Sequence, residues 1–105
     1  MTVIAVLDYG IGNLRSAQKA LEHVGADAHL TTDADVVAEA DGVVLPGVGA
    51  FGRCREELAR TGLDEVALDA ISAGQPFLGI CVGMQLLYEA SDETPGVAGL
   101  GVLSG

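Results

Sequence analysis

Cys81 has glycine two positions before it and two positions after it, in Gly79-Ile80-Cys81-Val82-Gly83. Pro76-Phe77-Leu78 ahead of it reads as an apolar strand, and Met84-Gln85-Leu86-Leu87-Tyr88-Glu89 behind it reads as a helix. A nucleophile on so sharp a strand-to-helix turn brings its own backbone into close contact, so the positions two away tolerate little beyond glycine. A thiol there faces unpaired backbone N–H groups and the positive end of the helix dipole, and both favour thiolate over thiol. The chemistry that suits it is attack on a carbonyl carbon, through a tetrahedral oxyanion that needs hydrogen-bond donors. The N–H of Val82, immediately after the nucleophile, is one natural donor. The plainer alternative makes Cys81 a small buried apolar residue, as most free cysteines are.

A second stretch bears on the same chemistry. Gly47-Val48-Gly49-Ala50-Phe51-Gly52 spells G-x-G-x-x-G between a strand and a helix, the pattern that cradles a dinucleotide pyrophosphate. A dinucleotide unit carries that loop after its first strand and an acid about 20 residues on at the end of the next strand. Here the loop follows the third strand, and the acids near that distance, Glu65 and Asp69, fall inside a helix. No Gly-Lys-Ser/Thr follows for a phosphate loop either. No cofactor is therefore expected, and the loop reads as a source of backbone N–H groups, with Val48 or Gly49 giving the second oxyanion donor.

The elements that must position these groups follow from apolar patterning. Residues 3–7 form a continuous apolar run of the kind buried on both faces of a parallel sheet. Asn13 caps a helix whose apolar face is Leu14, Ala17, Leu21 and Val24, with Gly25 ending it. Residues 26–31 make a weaker strand, 33–40 a short helix, and 42–45 a third strand stopped by Pro46. Phe51, Cys54 and Leu58 stripe one helix; Leu63, Val66, Ala67, Ala70 and Ile71 stripe the next, before a fourth strand at 77–80. Strands alternating with helices predict an α/β fold, a doubly wound, flavodoxin-like parallel sheet with helices on both faces and ligands at the carboxyl ends of its strands. Asp8 to Asn13, Pro46 to Gly52 and Cys81 lie at such ends. Residues 97–105 read as a possible further strand, and the chain as a single domain, the N-terminal part of something longer.

A formal charge of −10 with only five Lys plus Arg disfavours nucleic acid, and no apolar run is long enough to span a membrane. The acids read as a solvated face. Cys54 and Cys81 lack the spacing of a metal site or disulfide framework, so no metal is expected and a reducing, cytoplasmic setting fits a free thiol.

Asp8-Tyr9-Gly10-Ile11-Gly12-Asn13-Leu14, Pro46-Gly47-Val48-Gly49-Ala50-Phe51-Gly52 and Gly79-Ile80-Cys81-Val82-Gly83-Met84-Gln85 together resemble the glutamine amidotransferase subunits of imidazole glycerol phosphate synthases, within the class I amidotransferases. The resemblance runs along essentially the whole chain. It implies that Cys81 attacks the side-chain amide of glutamine, forming a glutamyl thioester and releasing ammonia to a cyclase partner of (β/α)₈ barrel type in histidine biosynthesis. It further implies that Gly47, Gln85 and Glu93 hold glutamine, and that Gly10, Gly12, Asn13 and Arg15 face the partner. Family members carry the proton-transferring histidine and its acid in a downstream His-x-Glu segment, which these 105 residues do not contain. His23 and His29 sit in a helix end and a strand, away from strand-end loops, and neither is expected to serve Cys81. Two other readings stand beside this one: a non-catalytic flavodoxin-like binding domain with a structural or redox cysteine, and an amidotransferase feeding a different synthase.

Overall fold

The computed structural model describes residues 2–10, 14–90, 96 and 98–103. Asn13 as a helix cap, and Gly12 and Glu93 in their implied roles, lie outside the described residues.

Four strands, β1 (Val3–Leu7), β2 (Asp27–Thr31), β3 (Gly42–Leu45) and β4 (Phe77–Gly79), form one sheet in the order β2-β1-β3-β4. Every pairing is parallel, with Ala5 opposite His29 and Val43, and Val44 opposite Leu78. The helices are α1 (Leu14–His23), α2 (Ala34–Glu39), α3 (Phe51–Arg60), α4 (Leu63–Ser72) and α5 (Val82–Gln85). The chain winds outward from β1 to β2 and back through β3 to β4, so the switch point lies between β1 and β3. That is the place where doubly wound sheets open a crevice at their carboxyl ends.

The central strands are apolar throughout because both faces are covered: β3 is buried at every position. On one face Leu7, Val43 and Leu45 pack with Val37, Phe51, Leu58, Leu63, Ala67 and Leu86 from α2 to α5 and the turn after it. On the other face a smaller cluster of Val6, Ala28 and Val44 is covered by Leu14 and Leu21 of α1. Phe51, Cys54, Leu58, Leu63, Ala67 and Ala70 thus face the core as their helical spacing predicts, with Val66 packed beside them, while Ile71 at the end of its stripe is only half-buried.

Local signals set the ends. Asp33 caps α2 by accepting a bond from the Asp35 N–H at 2.8 Å. Gly25 ends α1 at φ +96°, with Ala26 N–H donating back to the Leu21 carbonyl at 3.0 Å. That turn corrects one expectation: α1 stops at His23, so Val24 lies beyond the helical stripe and is 78% exposed.

The segment after Cys81 departs from expectation as well. The helix expected over 84–89 is the four-residue α5, and residues 86–88 continue only as tight turns. The chain's last described residues bond to the carbonyls that follow α5: Leu100 N–H donates to the Leu86 carbonyl at 2.7 Å, Leu103 to Leu87 at 2.8 Å and Gly99 to Glu89 at 2.8 Å. Gly99 is needed there, since a Cβ would lie 2.0 Å from the Tyr88 carbonyl oxygen. Among the described residues the expected strand at 97–105 is reduced to two isolated bridges, Tyr88 with Leu103 and Ala90 with Ala98.

Candidate active site

Cys81 stands between β4 and α5 with φ 55° and ψ −123°, the one non-glycine residue of positive φ among those described. A side chain in this conformation, which type II′ turns give to glycine, costs of order 1–3 kcal/mol. The surrounding bonds hold it there. Ile80 N–H donates to the Leu45 carbonyl at 3.0 Å, Gly83 N–H to Ile80 at 2.9 Å and Met84 N–H to the Cys81 carbonyl at 3.0 Å. Cys81 is exposed while Cys54 is buried, so the reading of Cys81 as a packed apolar residue is set aside.

The flanking glycines are required by contact. A Cβ on Gly83 would sit 2.0 Å from the Leu45 carbonyl oxygen, and one on Gly79 would sit 2.7 Å from Met84 Cα. Gly47 joins the loop to the elbow: its Cβ would lie 2.7 Å from both the Gly83 nitrogen and the Tyr9 hydroxyl. The loop after β3 and the turn after β4 are therefore in backbone contact, as a shared oxyanion site would require.

The donors have definite directions. Val82 N–H donates to the Gly47 carbonyl at 2.9 Å. Because a trans peptide points its C=O and N–H in opposite directions, the Val48 N–H faces away from Val82 in this conformation. Gly49 is exposed at φ +87°. Gln85 ends α5 partly buried, with its N–H toward the Cys81 carbonyl at 3.4 Å. Gly10, at φ +82°, and Arg15, in the first turn of α1, are exposed beyond the carboxyl end of β1, the end of the sheet that carries Cys81.

The histidines stay away. His29 lies on β2 beside Asp27 at 3.1 Å, and β2 stands three strand spacings from β4, about 14 Å. His23 is exposed in the last turn of α1.

Two groups under the loop were not singled out for the site by residue type or spacing. Tyr9, fully buried just after β1, donates its hydroxyl to the Pro46 carbonyl. Cys54, fully buried on α3, donates its thiol to the Val48 carbonyl at 3.3 Å and lies against the Tyr9 hydroxyl. Burial, and secondarily Cys54, pushes the Tyr9 hydroxyl far above the ordinary tyrosine value. The available signal was a tyrosine two residues past an apolar strand, whose hydroxyl must find a partner once buried.

A cysteine elbow at the carboxyl edge of a doubly wound parallel sheet, in contact with a glycine loop from the neighbouring strand, is an arrangement suited to thiol acyl-transfer chemistry. Residues 5–96 match the family Glutamine amidotransferase class-I, and the chain belongs to it. More particularly, it is 56% identical over 100 residues to the imidazole glycerol phosphate synthase subunit HisH of Salinibacter ruber, covering 95% of this chain and 46% of the relative. It is 52% identical over 105 residues to the HisH of Acinetobacter baylyi, covering 100% and 51%. The chain thus spans about half the length of these curated relatives. Among solved structures, a glutamine amidotransferase superposes with a TM-score of 0.78 at 22% identity, over 95% of this chain and 52% of that one. A putative peptidase E protein from Listeria monocytogenes superposes at 0.75 and 17% identity, over 97% and 63%. These likenesses do not favour the binding-domain alternative. Among the described residues no helix is long and apolar enough to cross a membrane.

Proposed function

We propose that this chain carries the nucleophile half of a glutaminase that feeds ammonia to the cyclase of an imidazole glycerol phosphate synthase. The observation that carries the reading is the strained, exposed Cys81 in a chain more than half identical to HisH relatives. Cys81 Sγ bonds to the side-chain amide carbon of glutamine, the carbonyl π electrons move to oxygen, and collapse expels ammonia as the C–N bond breaks. Water then attacks the thioester, releasing glutamate and restoring the thiol. The proton relay falls to a histidine that these 105 residues do not supply, because neither His23 nor His29 is near the elbow.

The oxyanion site needs one change. The Gly47 carbonyl occupies the Val82 N–H, and the Val48 N–H lies on the far edge of that same peptide. Turning the Gly47–Val48 peptide would withdraw an acceptor and supply a donor at once, while Gly49 holds its donor on the outer side of the loop. In this reading Gly47 and Gln85 line the glutamine pocket with Glu93. Gly10, Gly12, Asn13 and Arg15 face a barrel-type cyclase, in a cytoplasmic heterodimer.

Labelling with a glutamine-analogue electrophile tests the reading. Exposure alone would make Cys81 react before Cys54, so the decisive feature is protection: glutamine must block modification of Cys81 by the analogue. Protection that glutamate or asparagine supplies equally well would refute a glutamine site.

A further inference from the structure

The carbonyls of four consecutive residues, from Leu45 at the end of β3 to Val48 in the glycine loop, are held by donors from three parts of the fold. Leu45 accepts from Ile80 N–H at 3.0 Å and Gly47 from Val82 N–H at 2.9 Å, both at the elbow. Pro46 accepts from the Tyr9 hydroxyl, and Val48 from the Cys54 thiol at 3.3 Å. Tyr9 and Cys54 have no exposed surface, touch one another, and come from the end of β1 and from α3. Their bonds fix the planes of the peptides on either side of Gly47–Val48. A planar peptide with its carbonyl fixed has its N–H fixed on the opposite side. Holding the Val48 carbonyl down on Cys54 therefore turns the Gly49 N–H outward, and holding Pro46 on Tyr9 sets the Gly47 N–H.

We propose that Tyr9 and Cys54 are positioning residues for the oxyanion loop: their buried hydroxyl and thiol clamp the peptides flanking Gly47–Val48 and so set which loop N–H groups can face the carbonyl attacked by Cys81. The proposal rests on the glutaminase reading for its chemical meaning. The clamp itself is read out by loop dynamics, whatever the substrate. Phenylalanine at position 9 keeps the ring and removes only the donor. Serine at position 54 keeps a donor that alanine lacks.

The test compares Tyr9→Phe, Cys54→Ala and Cys54→Ser in the natural polypeptide with its partner subunit, by amide hydrogen exchange and by glutamine turnover per Cys81 titrated with the glutamine analogue. Loosening the loop opens the Val82 to Gly47 bond, so Val82 amide exchange should quicken about tenfold in Tyr9→Phe and Cys54→Ala, as loss of one neutral hydrogen bond allows. The Val43 amide, held by the Pro76 carbonyl at 2.9 Å, should keep its rate, and Cys54→Ser should restore that of Val82. Turnover per titrated site should fall with KM for glutamine unchanged. Val82 exchange that stays at the wild-type rate, or that rises only in step with Val43, overturns the clamp whether or not the protein is a glutaminase. Faster Val82 exchange with kcat per site unchanged overturns its role in positioning. Failure of glutamine to protect Cys81 in the wild type strikes the glutaminase reading instead, and leaves the exchange result to decide the clamp.

Discussion

Gly83→Ala is the most direct probe of the elbow, because the structure supplies its cost. The added Cβ would lie 2.0 Å from the Leu45 carbonyl oxygen, 2.8 Å from the Leu45 carbonyl carbon and 3.0 Å from that of Pro46, all backbone atoms of a fully buried strand end. No rotamer change relieves such a contact, so the turn must move off β3. Overpacking costs about 1–3 kcal/mol, and the displacement lengthens the Ile80 to Leu45 and Val82 to Gly47 bonds, each contributing about 0.5–1.5 kcal/mol. The total is about 2–6 kcal/mol, a large part of a small domain's stability. The control is Gly25→Ala, where a Cβ meets open space and the substitution carries only the penalty of φ +96°, about 1–2 kcal/mol. Urea unfolding followed by far-ultraviolet circular dichroism separates the two. With a slope of about 1–3 kcal/mol per molar, the mid-range difference puts the Gly83 variant's midpoint about 1 M below that of the Gly25 variant. Equal midpoints would show that the elbow and β3 are not in the contact described, and the explanation of Gly83 would fall.

Cys81→Gly should raise the thermal midpoint while abolishing modification by the glutamine analogue, since it relieves a strain of about 1–3 kcal/mol; an unchanged or lowered midpoint in calorimetry would argue against that strain. Burial raises the hydroxyl of Tyr9 above its unfolded value, so its contribution to stability is complete below about pH 10 and is lost as pH climbs through the alkaline range. Tyr9→Phe should flatten that alkaline limb in urea midpoints measured between pH 8 and 11, and a slope identical to wild type would contradict it. Val24→Ser should shift stability by no more than about 0.5 kcal/mol in the same assay, because the side chain is 78% exposed; a larger loss would restore Val24 to a packed face.

The central elements were legible because local signals and burial agree. Residues 3–7 and 42–45 are apolar at nearly every position and closed by Asp8 and Pro46, and both strands fall at those bounds. Gly79 and Gly83 were legible for the same reason, since a steric demand at fixed spacing leaves its mark in residue type. The short α5 was not. Nothing within residues 84–89 reveals that Gly99, Leu100 and Leu103 bond to the carbonyls of Glu89, Leu86 and Leu87, because that docking is settled by tertiary contact. Direction was equally hidden: residue type marks Val82 and Val48 as donors, but only the fold shows the Gly47 carbonyl already seated on one of them. Tyr9 and Cys54 read as ordinary core residues, and only their proximity to the Pro46 and Val48 carbonyls distinguishes them.

The parallel order β2-β1-β3-β4 also bears on when Cys81 takes up its strained backbone. Tyr9, Gly47, Cys54 and Cys81 meet only after β1, β3 and β4 have paired across long stretches of chain, contacts that form late because their loop closures must come first. Until then Cys81 lies in an unconstrained segment, without the strained backbone conformation that the closed sheet imposes. The strained conformation at Cys81 is therefore a late product of folding, and its appearance reports that the sheet has closed in the correct register.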